Sequence, residues 1–312
     1  MKKIIKYILP FILILLVILT PTIILEGAKS GLFLWFNALI PALMPYMIIS
    51  NMVIKSGMSM DMAFMTKPLT KLLKITPSAS YCILSGIFFG YPACAVNACL
   101  LIEEKQLDKR TANFCICAFN NLSPGFIMGF FCIGILEKPA YILPVFALFY
   151  ISLLLSTILI RILFFRDLSS GEINTKNTAD NSLKKNRQNL LTNAIKAAIT
   201  NISVMGGYII IFSIIIQYVL KIPFGKVILA TPVLEITTGI TQICSFYSDI
   251  KFILLILMPM LSFGGFSGIF QTFGIDGDGI IDKKKYIYSK LLSGMVCFIV
   301  TYFAVYVLKI IR

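Results

Sequence analysis

The sequence contains no histidine, and only 13% of its 312 residues are charged. The absence of histidine removes the commonest general base and excludes every Ser-His-Asp and Cys-His dyad. A P-loop and a dinucleotide-binding fingerprint are also missing, which argues against ATP-driven pumping by this chain alone. We therefore expect no enzymatic activity and no cofactor.

The eight cysteines all lie inside apolar segments. Neither zinc ligation nor a disulfide framework suits cysteines placed in this way. Small, polarisable packing side chains are the simpler interpretation. The sequence therefore predicts no metal site.

Apolar residues dominate the sequence. Hydrophobic residues make up 58% of the chain and the mean hydropathy is +0.90, which is more apolar than an ordinary soluble domain. Runs such as 140–165 and 203–220 are long enough, as helices, to cross a hydrocarbon layer of about 30 Å, which takes about 20 residues. The net charge of +14 comes from bases at the ends of apolar runs, so we expect a lipid bilayer and no nucleic acid as partner.

The basic residues indicate a topology, because positive charges are retained on the cytoplasmic side of a membrane. The basic stretches are 2–6, 55–74, 105–110, 161–196 and 283–290. With all of them inside, the chain is an all-α, polytopic membrane protein with a cytoplasmic N-terminus. It would have about seven transmembrane helices plus two re-entrant helical hairpins.

The first hairpin is predicted at 78–102, because this apolar stretch has cytoplasmic charges at both ends. Its turn falls at Gly90-Tyr91-Pro92, where glycine and proline break a helix. The second hairpin is predicted at 227–247, with a break near Thr237-Thr238-Gly239. An interfacial helix at 189–201 would precede a span at 202–220.

The two halves of the chain follow the same plan. The predicted segments are an N-terminal transmembrane helix (1–26), a first repeat (27–165), a polar cytoplasmic loop (166–188) and a second repeat (189–312). The repeats begin on opposite sides of the membrane, so they would be inverted. Many secondary transporters have this arrangement and bind substrate where their broken helices meet.

The candidate substrate-binding residues are polar or helix-breaking residues at membrane depth, where unpaired amides and backbone groups need a polar partner. They are Gly90, Tyr91, Pro92, Asn97, Asn120, Asn121 and Ser123 in the first half, and Thr237, Thr238, Gly239, Ser262, Gly264, Gly265 and Ser267 in the second. The structural alternatives are kinks, interhelical hydrogen bonds and close packing of small residues.

Glu235 is the only acidic residue well inside an apolar segment. A carboxyl group at that depth suits a proton carrier or a cation ligand. We assign it to coupling with H⁺ or Na⁺. The alternative is an ion pair with Lys221 or Lys226 near the interface.

Several of these motifs resemble the YlbJ-type sporulation integral membrane proteins, which belong to the wider nucleoside-recognition, or Gate-domain, superfamily. The matching stretches are 85–92, 103–110 and 119–124 in the first half, and 234–239 and 261–267 in the second. The resemblance runs in the same order along most of the chain. Family members often carry a lysine after Gly-Tyr-Pro, but here Pro92 is followed by Ala-Cys-Ala-Val-Asn, so no cation is expected on this hairpin.

The resemblance implies a transporter of a small anionic metabolite. The expected substrate is dipicolinic acid, moved from the mother cell toward the forespore across the outer forespore membrane. The alternatives are a transporter of nucleosides or other small metabolites, and a spore-envelope assembly protein that transports nothing. The sequence leaves the oligomeric state open, with a homo-oligomer as one alternative.

Overall fold

A computed structural model describes residues 15, 17–56, 58–168, 189–221, 229–276 and 279–308. Within this part of the chain the structure is helical and contains no β-strand, so the predicted all-α class is confirmed. Most of the predicted N-terminal helix and of the predicted loop 166–188 lies outside the described residues.

The first half is built from mostly short helices. Helix α1 (Pro21–Leu34) continues through a π-helical turn (Trp35–Leu39) into α2 (Ile40–Lys55). Next come a 3₁₀ helix (Met58–Thr66), α3 (Lys67–Leu73), a 3₁₀ turn (Pro77–Ala79), α4 (Ser80–Phe89), α5 (Ala93–Glu103), α6 (Lys109–Phe119), a π-helical segment (Phe126–Ile135), a 3₁₀ turn (Pro139–Tyr141) and α7 (Ile142–Phe164).

The second half begins with a long helix and is then interrupted twice. Its elements are α8 (Leu190–Leu220), α9 (Thr231–Leu234), α10 (Ile236–Phe246), α11 (Ile250–Phe263), α12 (Gly265–Ile275), and α13 (Lys283–Tyr302), which ends in a π-helical turn (Phe303–Val307). Helix α8 is a single helix, whereas the sequence predicted an interfacial helix followed by a separate span. No proline interrupts it, and its buried side continues through Ala194, Ala198, Ile202 and Met205.

Four helical segments are long and apolar enough to cross a membrane: Pro139–Phe164, Leu190–Leu220, Ile250–Ile275 and Lys283–Val307. The pair Asp61–Leu73 and Pro77–Phe89, bent by 118°, adds a fifth if it forms one span. The chain therefore has the helices of an integral membrane protein. The finer count of seven spans and two re-entrant hairpins stays a prediction.

The centre of the bundle is the segment Ile250–Ile275, which is 72% buried, against 33–39% for the other three candidate spans. Helix α13 packs against α11 and α7, and α8 packs against α1, α2 and α12. Large apolar side chains on the outside of α7, including Leu143, Ile151 and Ile162, are exposed. Such a surface suits contact with lipid tails.

Helices α1 and α8 approach closely because glycines line their contact. A β-carbon added to Gly27 would lie 2.6 Å from Cα of Ile214, and one added to Gly31 would lie 2.8 Å from Cα of Ile210. Glycines four residues apart let membrane helices pack backbone to backbone. Nearby, Nε1 of Trp35 donates a hydrogen bond of 2.8 Å to the carbonyl of Ile202.

We predict that Gly27→Ala lowers the thermal stability of the purified protein, since the added methyl group meets backbone atoms that cannot move aside. Overpacking of this kind costs about 1–3 kcal/mol. Gly207→Ala is the matched control, because a β-carbon there meets nothing within 4 Å and alanine favours a helix. Thermal unfolding in detergent measures both, and an equal melting temperature for the two variants would contradict the packing.

Candidate functional site

Four interruptions divide the helices of the central region. The first break (90–92) separates α4 from α5, and the second (120–123) follows α6. The third break is Glu235, between α9 and α10, and the fourth is Gly264, between α11 and α12. We call the region where they meet the four-break centre.

The first and second breaks contact each other through the backbone. Gly90 has a φ of +76°, and a β-carbon on it would lie 2.6 Å from the nitrogen of Ser123 and 2.7 Å from the carbonyl oxygen of Asn121. The amide of Tyr91 donates to that same carbonyl. Only glycine fits this backbone conformation and this contact.

The third and fourth breaks contact each other in the same manner. A β-carbon on Gly265, whose φ is +72°, would lie 3.3 Å from the carbonyl oxygen of Pro232 and 3.4 Å from the nitrogen of Ile236. Gly239 allows α10 to pack directly against α9, since a β-carbon added to it would lie 2.2 Å from Cα of Pro232. The sequence-predicted residues Gly90, Gly239 and Gly265 thus each mark a close backbone approach.

Side chains join the two pairs of breaks. The hydroxyl of Tyr91 donates to the carbonyl of Gly264 at 3.3 Å, and a β-carbon on Gly268 would lie 2.9 Å from the Tyr91 ring. Nδ2 of Asn120 donates to Oγ1 of Thr272 at 3.0 Å. All four breaks therefore converge on one buried region.

Asn120 occupies the core of this region and is fully buried. Its amide nitrogen also donates to the hydroxyl of Tyr286 at 3.0 Å, and Thr272 lies 3.3 Å from that hydroxyl. Its side-chain oxygen Oδ1 has no hydrogen-bond partner. A buried acceptor of this kind is unusual and invites a water or a ligand group.

Lys290 is a functional candidate that the sequence analysis missed. This residue of α13 is only 1% exposed, and its ammonium donates to the carbonyl oxygen of Asn120 and, at 2.8 Å, to Oδ1 of Asn121. The predicted site residues Asn120 and Asn121 thus hold a buried cation. The amide nitrogen of Asn121 is itself fixed by the carbonyl of Ala118 at 2.8 Å.

A signal for Lys290 exists in the sequence. The polar and small residues of α13 recur on one face at helical spacing, and all of them are buried: Tyr286, Ser289, Lys290, Ser293, Gly294 and Cys297. Because Lys290 follows a run of lysines, it also fits a cytoplasmic topology marker. The helical period of 3.6 residues distinguishes the two roles, since it places Lys290 on the buried face and Lys283 and Lys284 on the exposed side.

Glu235 caps helix α10. Its carboxylate accepts hydrogen bonds from the amides of Thr237 (2.9 Å) and Thr238 (2.8 Å) and from the hydroxyl of Thr237. The break therefore lies at Glu235, two residues before the position predicted from Thr237-Thr238-Gly239, because the carboxylate satisfies the free amides of the first helical turn. Lys221, one predicted partner, instead lies 4.0 Å from Glu26, and Lys226 lies outside the described residues.

The remaining predicted residues are placed as follows. Ser123 caps the next turn, accepting from the amide of Phe126 at 3.2 Å, and Ser267 accepts from Gln271 at 3.0 Å. Pro92, the last residue of the first break, and Ser262, two residues before the fourth break, are both buried. Asn97 belongs to a different polar cluster with α2, where it accepts from Ser50 and donates to Tyr46, both at 2.7 Å.

The described residues contain no group of three or more histidine, cysteine, aspartate or glutamate side chains that could hold a metal ion. All eight cysteines are free thiols. The chemistry that the centre offers is therefore hydrogen bonding, one buried ammonium and one buried carboxylate.

The chain is similar to the sporulation integral membrane protein YlbJ of Bacillus subtilis (strain 168). The two are 22% identical over 315 aligned residues, which cover 89% of this chain and 77% of that protein. The similarity extends over both halves of the chain, and together with the apolar helices it supports a location in a membrane. No protein-family model matches the sequence, and no solved structure matches it either.

We predict that Glu235→Ala lowers the free energy of unfolding by about 1–2 kcal/mol, because the first turn of α10 loses its cap. The two amides bond to different carboxylate oxygens, so Glu235→Gln keeps an acceptor for one of them and its loss should be smaller than that of alanine. Chemical or thermal unfolding of the purified variants measures the difference. Equal losses for alanine and glutamine would show that the cap does not stabilise the helix.

Proposed function

We propose that this protein is a membrane transporter of a small anionic metabolite, with dipicolinate as the first candidate substrate. The observation that carries the proposal is the convergence of four helix breaks in one buried centre. Broken helices present backbone groups and polar side chains to a solute at a depth where intact helices offer none. Packing alone would be served better by continuous helices, whose backbone groups are already paired.

The pairing of the breaks supports the division into repeats 27–165 and 189–312. The first break pairs with the second, and the third pairs with the fourth, so that each half contributes one pair. In the proposed architecture α4–α5 and α9–α10 are re-entrant hairpins, the halves are inverted, and about seven helices span the bilayer. Alternating access would then be a movement of one half against the other around the centre.

The biological setting rests on the relative, whose name places it in sporulation. A role in an endospore-forming cell makes dipicolinate the natural first candidate, moved from the mother cell toward the forespore across the outer forespore membrane. The alternatives are transport of nucleosides or other small metabolites, and a spore-envelope assembly function without transport. We further propose that the protein is not an enzyme.

Flux into proteoliposomes tests this function. We expect purified protein to accelerate uptake of labelled dipicolinate over protein-free vesicles, and uridine to be taken up little or not at all. Preferential uptake of uridine would favour the nucleoside alternative. Absence of flux for every solute, with correctly folded protein, would favour the assembly function.

Glu235 is the proposed coupling residue, because it is a carboxylate with only 5% exposure in the third break. Glu235→Gln removes the charge but retains a capping oxygen. We expect this variant to fold and to lose uptake driven by a pH or sodium gradient. Gradient-driven uptake that equals wild type would remove Glu235 from the coupling mechanism.

A further inference from the structure

We propose that Lys290 is the cation that selects a carboxylate substrate at the four-break centre, an inference that rests on the proposed transport function. In the state seen here the ammonium is held by oxygens of Asn120 and Asn121. On binding, a substrate carboxylate would take the place of one or both of these oxygens. The ligand chemistry that one buried ammonium recognises is a carboxylate group, and the dicarboxylate of the proposed function is the first candidate that carries it.

The first support is the charge of Lys290, for which the described residues provide no carboxylate partner. Its two acceptors are a backbone carbonyl and an amide oxygen, both uncharged. None of the ion pairs among the described residues includes it, so no carboxylate oxygen in that part of the chain lies within 4.0 Å of its ammonium. An anion from outside would supply the missing partner.

The structural alternative is that Lys290 only caps the C-terminus of α6, which ends at Phe119. A cation at a helix C-terminus contributes about 0.3–1 kcal/mol, and up to about 2 kcal/mol when partly buried. Burying an ammonium costs several kcal/mol. A neutral donor such as glutamine would cap the same carbonyl without that penalty, so capping does not account for a charged residue at this position.

The second support is the position of the ammonium among the breaks. It contacts the second break directly. In that break the backbone carbonyl of Asn121 accepts a hydrogen bond from the amide of Tyr91, which belongs to the first break. A group bound at the ammonium would therefore lie at the second break, which is itself hydrogen-bonded to the first.

The third support is the unpaired oxygen of Asn120. This fully buried Oδ1 lacks a partner, although the neighbouring amide nitrogen has two. The hydrogen-bond network around Lys290 is therefore incomplete. It has an excess of one positive charge and one open acceptor, which an anion accompanied by a water or a hydroxyl group would complete.

Binding to the purified protein in detergent tests the inference. The probes are pyridine-2,6-dicarboxylate and the neutral analogue pyridine-2,6-dicarboxamide, which has nearly the same shape. We expect wild type to prefer the dicarboxylate, and Lys290→Gln to lower its affinity about ten- to hundredfold, as expected for loss of a charge-assisted hydrogen bond. The affinity for the diamide should stay the same in Lys290→Gln.

Two control variants define the comparison. Lys284→Gln removes an exposed lysine of the same helix, and it should bind both probes as wild type does. Lys290→Arg keeps the positive charge and should retain the preference for the dicarboxylate. Unchanged dicarboxylate preference in Lys290→Gln, with wild type both binding and transporting the dicarboxylate, would overturn the inference and leave the transport function standing.

Asn121→Asp carries the test if Lys290→Gln fails to fold, because it leaves the lysine in place and supplies an internal counter-ion, at the loss of the hydrogen bond that the Asn121 amide donates to the carbonyl of Ala118. The inference predicts that this variant loses dicarboxylate affinity and keeps that for the diamide. A lysine that only caps α6 would be held more firmly, with dicarboxylate affinity unchanged, and that result would overturn the inference. If wild type neither binds nor transports the dicarboxylate, the proposed function falls together with the inference.

Discussion

The structure depends on one constraint: a helix that breaks in an apolar environment must find partners for the backbone groups it frees, because lipid offers none. This chain breaks its central helices four times. It meets the constraint partly by packing the breaks against each other, at Gly90 on Asn121 and at Gly265 on Pro232, and partly with side chains that bond the freed backbone groups, as Glu235, Tyr91 and Lys290 do. The outer helices, with apolar side chains on their exposed faces, then enclose a polar centre in which Oδ1 of Asn120 is left without a partner.

The contacts between the two pairs of breaks are of a different kind. Within each half the breaks meet through main-chain atoms at glycines, and in the first half the amide of Tyr91 also donates to the carbonyl of Asn121. Between the halves the links are side-chain contacts of Tyr91, Asn120 and Lys290. Side chains can exchange partners by rotation, so the weaker seam of the centre lies between the halves. That is where an alternating-access movement would need it.

Much of this arrangement could be predicted from the sequence. The first, second and fourth breaks are marked by glycine, proline or asparagine inside apolar runs, so the sequence predicts their positions. The third break is marked by the carboxylate of Glu235, and a sequence does not show that this carboxylate caps the following helix. The sequence therefore predicts the break two residues too late, at Thr237. Which break contacts which depends on tertiary packing. Lys290 was missed because a lysine near a basic run fits both a topology marker and a buried helix face.

The two buried charges of the centre sit at helix ends of opposite polarity. Glu235 accepts from the N-terminus of α10, where the helix dipole is positive, and Lys290 donates to the C-terminus of α6, where it is negative. Both residues come from the second half, whereas the first half supplies neutral amides and Tyr91. With this division of residues, the second half would recognise the charge of the substrate, and the first half would hold the substrate in position. A carboxylate that engages Lys290 must then be held away from the carboxylate of Glu235, and Tyr91 of the first break, whose hydroxyl donates to Gly264 of the fourth break, is one contact that ties the two halves together at the centre.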